Sequence, residues 1–171
     1  MQHRHTLIND HIRVLKQGAE LIERLNDQVY SLPFRPLFTY GVGSHFRHCL
    51  DSYHCFFKGI ETGKIDYDHR ERDELIERDR EVAIARIETV IACLRNLASC
   101  DETVPLMAQQ DSEVWTHTSL GRELQFLLSH TIHHYALIAL ALRLQGVEPG
   151  AEFGVAPSTL QFWRKAAGNH S

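Results

Sequence analysis

Leu127-Leu128-Ser129-His130-Thr131-Ile132-His133-His134-Tyr135-Ala136-Leu137 lies at the centre of the most apolar helical pattern in the chain. Leu120, Leu124, Leu127, Leu128, Ile138 and Leu142 recur around it at helical spacing. The pattern starts near Thr118 or Ser119, both good capping residues, and stops at Gly146. Apolar on most of its circumference, this helix is expected to be the most buried element. Two histidines, His130 and His134, sit four residues apart in its middle. That spacing stacks the imidazoles one turn apart on one face, where a single divalent ion can take both. Burying such rings is costly unless both nitrogens of each find partners.

Outward from this segment, three more long helical patterns can be read. The first runs from about residue 9 to residue 29, with Ile12, Leu15, Ala19, Ile22 and Leu25 at helical spacing. Pro33 and Pro36 stop it, because proline and the residue before it favour extended chain. The second starts between Gly41 and Ser44, runs to about Glu61 and is closed by Gly63. The third spans about 71–99, its charged start Glu71-Arg72-Asp73-Glu74 leading into a stripe of Val82, Ile87, Val90 or Ile91, Leu94 and Leu97. Residues 101–117 read as irregular, a short hairpin or coil broken by Pro105, and no strand is convincing. The tail is loop-rich to about Pro157, then gives one short helix over about 158–166, capped by Ser158. Four long helices with connections able to cross predict an all-α four-helix bundle, one domain over residues 1–171.

The composition excludes several classes. A net charge of -4 leaves no electrostatic footprint for nucleic acid or anionic lipid. The longest apolar run, Tyr135 to Leu142, is far short of the roughly 20 residues of a membrane span. The start Met1-Gln2-His3-Arg4-His5-Thr6 lacks the apolar core of a signal peptide, so a cytoplasmic protein is expected. Cys49, Cys55, Cys93 and Cys100 form no Cys-x-x-Cys and read as small buried residues of a reducing compartment.

The informative excess is twelve histidines, of which His45, His48, His130 and His134 cluster, with His54 and His133 close by in sequence. Gly43-Ser44-His45-Phe46-Arg47-His48-Cys49-Leu50-Asp51 opens the second helix and offers a third ligand from His45 or His48. Asp51 is placed either to accept a hydrogen bond from a ligand, to be an oxygen ligand, or to pair with Arg47 or with a tyrosine of the fourth helix. Other site types fail: no glutamate precedes a histidine by three, and the His-Glu-x-x-His, P-loop, GxGxxG and GxSxG patterns are absent. Neutral imidazoles suit Zn, Ni, Fe(II) or Co better than Ca or Mg. Three protein ligands leave a coordination position for water or substrate.

At these residues the chain resembles the DinB/YfiT-like superfamily of metal-dependent proteins over most of its length. The resemblance rests on His48 with Asp51 three residues later, and on the His-x-x-x-His of His130 and His134. Gly43 to Asp51 and Ser119-Leu120-Gly121-Arg122-Glu123 resemble a narrower subgroup. It implies a four-helix bundle with one long crossover, a three-histidine divalent-metal site and the homodimer frequent among such proteins. Relatives of this kind include bacillithiol S-transferases and mycothiol-dependent maleylpyruvate isomerase, so it also implies a low-molecular-weight thiol acting on a small-molecule electrophile. Many such proteins carry His-Arg-Gly-Gln at the second helix-four histidine, where this chain has His134-Tyr135-Ala136-Leu137. The expected ligands are His48, His130 and His134, with His45 in reserve and Asp51 accepting a hydrogen bond from a ligand ring. The alternative is a non-catalytic metal-binding or stress-response bundle.

Overall fold

The computed structural model describes residues 2–33, 35, 39–97, 105–110 and 113–168. The first helix, α1 (Gln2–Arg24), is shifted towards the N-terminus relative to its apolar period, and a separate short helix follows, α2 (Asp27–Ser31). Asn26 explains the break. Its extended backbone and its side chain, which accepts from the Val29 amide at 2.9 Å, start a new helix. The next helix, α3 (Val42–Thr62), closes as expected on Gly63, whose φ of 79° is the left-handed cap glycine tolerates.

The expected third helix is two. A short α4 (Glu74–Arg78) is capped by Asp73, and α5 (Arg80–Leu97) begins where the Asp79 carboxylate accepts from the amides of Glu81 and Val82. In a run this rich in charge, the aspartates act as caps, a role that apolar periodicity does not register. Ile87, Val90, Ile91, Leu94 and Leu97 are buried on α5 as the stripe predicts, while Val82 is half-buried and Ala83 takes the inner position. The quoted histidine segment lies in α6 (Leu120–Leu144), with Ser119 as its cap and every predicted apolar position buried.

The four long helices pack as a bundle. Both α1 and α3 lie against α5 and α6, so α1 and α3 occupy one diagonal. Leu15 and Ile22, Phe46 and Phe56, Ile87 and Leu94, and Leu124 and Ile138 meet in one buried cluster. Each such side chain contributes about 1.5–3 kcal/mol by leaving water.

Of the two readings open for residues 101–117, the short hairpin is the one that forms, and a third strand, not expected, pairs with it. β1 (Lys64–Asp66), β2 (Leu106–Gln109) and β3 (Thr116–Thr118) form a small sheet in that order, β1 parallel and β3 antiparallel to β2. Three or four residues are too few for a period-of-two signal to stand out. The sheet buries Ile65, Leu106 and Ala108 against the bundle. It also presents Tyr67 and Thr118 to the buried carboxylate of Glu123 on α6, at 2.8 and 2.6 Å. The last helix, α7 (Pro157–Gly168), begins with proline at its first position, so Ser158 lies inside the first turn and is not the cap.

The tail is split. Phe153 stacks on Tyr135 at 4.7 Å and Leu160 is buried, whereas Phe162 and Trp163 are 69% and 50% exposed. Among the described residues, no helix is long and apolar enough to cross a membrane.

Candidate metal centre

The α3 and α6 helices pack face to face, and their histidines meet at the seam. His130 Nε2 lies 3.1 Å from His48 Nε2 and 3.1 Å from His134 Nε2. One ligand atom from each ring can be chosen so that all three lie within 4.8 Å of one another, an arrangement able to hold a metal ion. Metal–nitrogen bonds of about 2.0–2.1 Å place two ligands roughly 2.9 Å apart at a right angle and roughly 3.4 Å apart at a tetrahedral one. Both observed separations fall inside that window.

Protons alone serve this cluster poorly. A neutral imidazole has one N–H, so the His130 Nε2 cannot donate to both neighbours, and a second pair of lone pairs is left facing. Extra protons are disfavoured too. Burial first, then the charges of His130, Arg70 and Arg47, push His48 down to about 4. Burial and the same ring neighbours hold His134 well below the ordinary histidine range. Three converging lone pairs, two of them on rings that resist protonation, are a donor set that suits a borderline divalent cation.

His45, the reserve ligand, takes a different place. Its Nδ1 is 2.9 Å from His134 Nδ1, on the far side of that ring from His130. With Nε2 of His134 given to a metal, Nδ1 would carry the proton and donate to His45, which would fix the tautomer and the ring plane. Burial, then His133, lowers the pKa of His45, which keeps it a neutral acceptor. The outward face of His130 is braced by Phe126, stacked at 5.5 Å with 12° between planes.

Asp51 goes elsewhere. Only 4% exposed, it accepts from Arg47 Nη1 at 2.8 Å and from the Asp73 amide. Arg47 also donates to Glu77 on α4, so this trio ties α3 to the 70–78 segment beside the histidines. The pairing with Arg47 was one of the readings open in the sequence. His54 and His133 lie outside the cluster: His54 is exposed near Glu71, and His133 is exposed on α6.

An open cavity of about 320 Å³ adjoins the rings, lined by His45, His48 and His134 together with Arg47, Arg70 and Arg72. The sequence reading missed the last two, which sit in the connection from β1 to α4, where charged residues are common. Neither buried cysteine supplies a thiolate: burial raises Cys55 to about 11 and Cys49 further still. Cys93 is half-buried on α5, and Cys100 lies outside the described residues.

A second histidine site was also missed. His11, fully buried on α1, has Nδ1 2.7 Å from the Tyr53 hydroxyl and Nε2 2.9 Å from the Leu124 carbonyl. The carbonyl can only accept, so Nε2 carries the proton and Nδ1 accepts from Tyr53.

Two comparisons place the chain among known proteins. A 108-residue stretch, 59% of the chain, is 34% identical to FK506-binding protein 5 of Rhizopus delemar. The match spans only 28% of that longer protein. A family model, the DinB superfamily, matches residues 13–138, which takes in all of α3 and the His130–His134 pair. The chain belongs to the DinB superfamily.

Proposed function

We propose that the protein holds one divalent transition-metal ion, Zn, Ni, Fe(II) or Co, on His48, His130 and His134, and uses a low-molecular-weight thiol to act on a small electrophile. The observation that carries this reading is the convergence of three imidazole nitrogens at 3.1 Å spacings beside an open cavity. An ion held by three neutral imidazoles keeps a position for solvent or thiol and lowers the pKa of what it binds there. The chain's own groups supply the rest. His45 takes the hydrogen bond from His134 Nδ1, so that Nε2 presents its lone pair to the centre. Phe126 holds the His130 ring in plane, and the Arg47–Asp51–Glu77 trio fixes the α3 backbone that carries His48. With Cys49 and Cys55 held as thiols by burial, the nucleophilic sulfur comes from a small molecule. The resemblance to thiol-dependent bundle enzymes supports the same choice.

A cytoplasmic homodimer goes with this reading. Phe162 and Trp163, exposed on α7, are apolar surface available to a second copy.

The test is metal content by mass spectrometry on untagged protein, wild type beside His134→Ala. The expected result is near one equivalent in wild type and loss in the variant. A small thiol added to cobalt-substituted protein should then change its visible spectrum. Metal without a thiol response favours the non-catalytic metal-binding alternative. No metal in wild type, even after reconstitution, overturns the proposal.

A further inference from the structure

The charge around the cavity is unbalanced in a specific way. Every carboxylate near it already has a cation: Asp51 and Glu77 are paired with Arg47, Asp73 with Arg86 at 2.9 Å, and Glu71 with Lys58 at 2.9 Å. Among the described residues, neither Arg70 nor Arg72 has a carboxylate within ion-pair distance, although the chain as a whole is acidic at -4. Both line the cavity, Arg70 half-buried and Arg72 exposed, and no described acidic side chain lines it with them.

Arg70 is near enough to Asp51 to favour its charged form, but the hydrogen bonds of Asp51 come from Arg47 and the Asp73 amide. A half-buried guanidinium therefore keeps its own donors for a ligand that brings charge. Guanidinium matches planar and tetrahedral oxyanions in shape, offering paired N–H donors to carboxylate or phosphate. About 320 Å³ is at the small end of ligand sites, enough for a compact metabolite and too little for a macromolecular chain.

We propose that Arg70 and Arg72 form an anion subsite for a small substrate bearing a carboxylate or phosphate group, which they hold while its reactive end lies over His48 and His134. The inference rests on the metal reading only for what happens at that reactive end; the subsite itself stands on the cavity and its two arginines, neither within ion-pair distance of a described carboxylate. Arg47 does not share the anion, since its donors are committed to Asp51 and Glu77. The selectivity is therefore for charge at one end of the ligand, set by residues outside the histidine cluster.

The test is calorimetric titration of the full chain at low salt with succinate, inorganic phosphate and neutral succinamide, on metal-loaded and metal-free protein. Wild type should bind at least one of the two anions about tenfold or more tightly than succinamide, in both forms. Which anion wins distinguishes a carboxylate from a phosphate substrate. Arg70→Gln with Arg72→Gln should cost tenfold or more in anion affinity while the metal equivalent and melting temperature stay as in wild type. Arg70→Lys with Arg72→Lys should keep most of the affinity. Succinamide binding as tightly as the anions, or unchanged anion affinity in the Gln pair, overturns the subsite even if the metal is present. Absence of metal in wild type defeats the function proposed above, while the metal-free titrations still decide this inference.

Discussion

His11 and the four histidines at the α3–α6 seam are the same side chain in two opposite situations. Around His11 the protein provides fixed partners for both ring nitrogens, a hydroxyl on one side and a carbonyl on the other, and seals the ring from solvent. At the seam, His48, His130 and His134 face one another across nitrogens that no arrangement of single protons satisfies, with a cavity alongside. The closed arrangement is complete without a ligand. The open one has the donors that an ion would complete. Burial of a histidine thus says little by itself, and what faces the second nitrogen says a great deal.

The sharpest way to break this contrast is to delete one ring from each. Structural zinc sites bind with about 10–16 kcal/mol over four ligands, or roughly 3–4 kcal/mol per ligand. His130→Ala should therefore weaken metal binding about 100- to 1000-fold, read by competition with a chromophoric chelator. His11→Ala should leave metal stoichiometry at wild type. It should instead lower the unfolding free energy by about 3 kcal/mol, through a cavity and the stranded hydroxyl of Tyr53. For a chain of this size that is a fall of about 10 °C in melting temperature. Equal metal loss in both variants would erase the distinction between the two sites.

Acid separates them on a second axis. Burial lowers His11 to about 4 from its ordinary 6.5, the Leu124 carbonyl opposing only in part. Between those values the unfolded chain binds a proton that the folded chain refuses, so acid favours unfolding. The His11 contribution is whole above pH 6.5 and is lost as pH falls towards 4, at about 3 kcal/mol in all. His48 and His134, also lowered, act with the same sign, and bound metal deepens the effect because protons compete for its ligands. Urea unfolding of metal-free protein at pH 7 and pH 4.5 measures it. His11→Asn should be less stable at neutral pH yet lose less on acidification than wild type. An identical pH slope in the variant would show that His11 does not titrate as its burial requires.

A smaller effect tests the seam alone. If His45 orients His134, His45→Ala should weaken metal binding about 10- to 100-fold, the usual cost of removing a partner that positions a ligand. His45→Gln keeps an oxygen acceptor and should recover part of the loss. A fall as large as that of His130→Ala, with no recovery in Gln, would make His45 a ligand itself.

How much of this the sequence carried depends on the length of each signal. The α6 helix was legible because its apolar period runs for 25 residues, and its four-residue histidine spacing fixes a shared face whatever packs against it. The boundaries of α3 were legible because Gly63 sits where a left-handed cap is needed. The α2 and α4 helices and β1 were not, and the β2–β3 hairpin was no more than one of two readings, all being too short to show a period and created by caps and pairing between distant segments. The choice between His45 and His48 turned on how α3 rotates against α6, which spacing within α3 does not determine. Arg70, Arg72 and His11 were invisible for the same reason: each matters through partners, or a lack of them, 40 or more residues away or across a cavity.

The packing that sets this rotation can be disturbed at Gly18. A Cβ there would lie 2.0 Å from the Tyr135 hydroxyl oxygen and 2.9 Å from Phe46 Cε1, both well inside contact distance. Tyr135 follows His134, and Phe46 lies between His45 and Arg47, so the small residue on α1 lets both histidine-bearing helices close. Tyr135 cannot simply turn aside, since Phe153 stacks on it at 4.7 Å and Phe46 packs at 5.3 Å. On an exposed helix face, glycine to alanine would stabilise by about 1 kcal/mol. Here overpacking of about 1–3 kcal/mol opposes that gain, so Gly18→Ala should be net destabilising by about 1 kcal/mol. Tyr135→Phe in the same chain removes the atom in closest conflict. The pair should then show a favourable coupling on the order of 1 kcal/mol in a double-mutant cycle. Metal affinity should follow the same order, lower in Gly18→Ala and partly restored in the double variant, because displacement of Tyr135 is passed through the α6 backbone to His134. Stabilisation by Gly18→Ala with metal affinity unchanged would mean that the seam is positioned from elsewhere in the bundle.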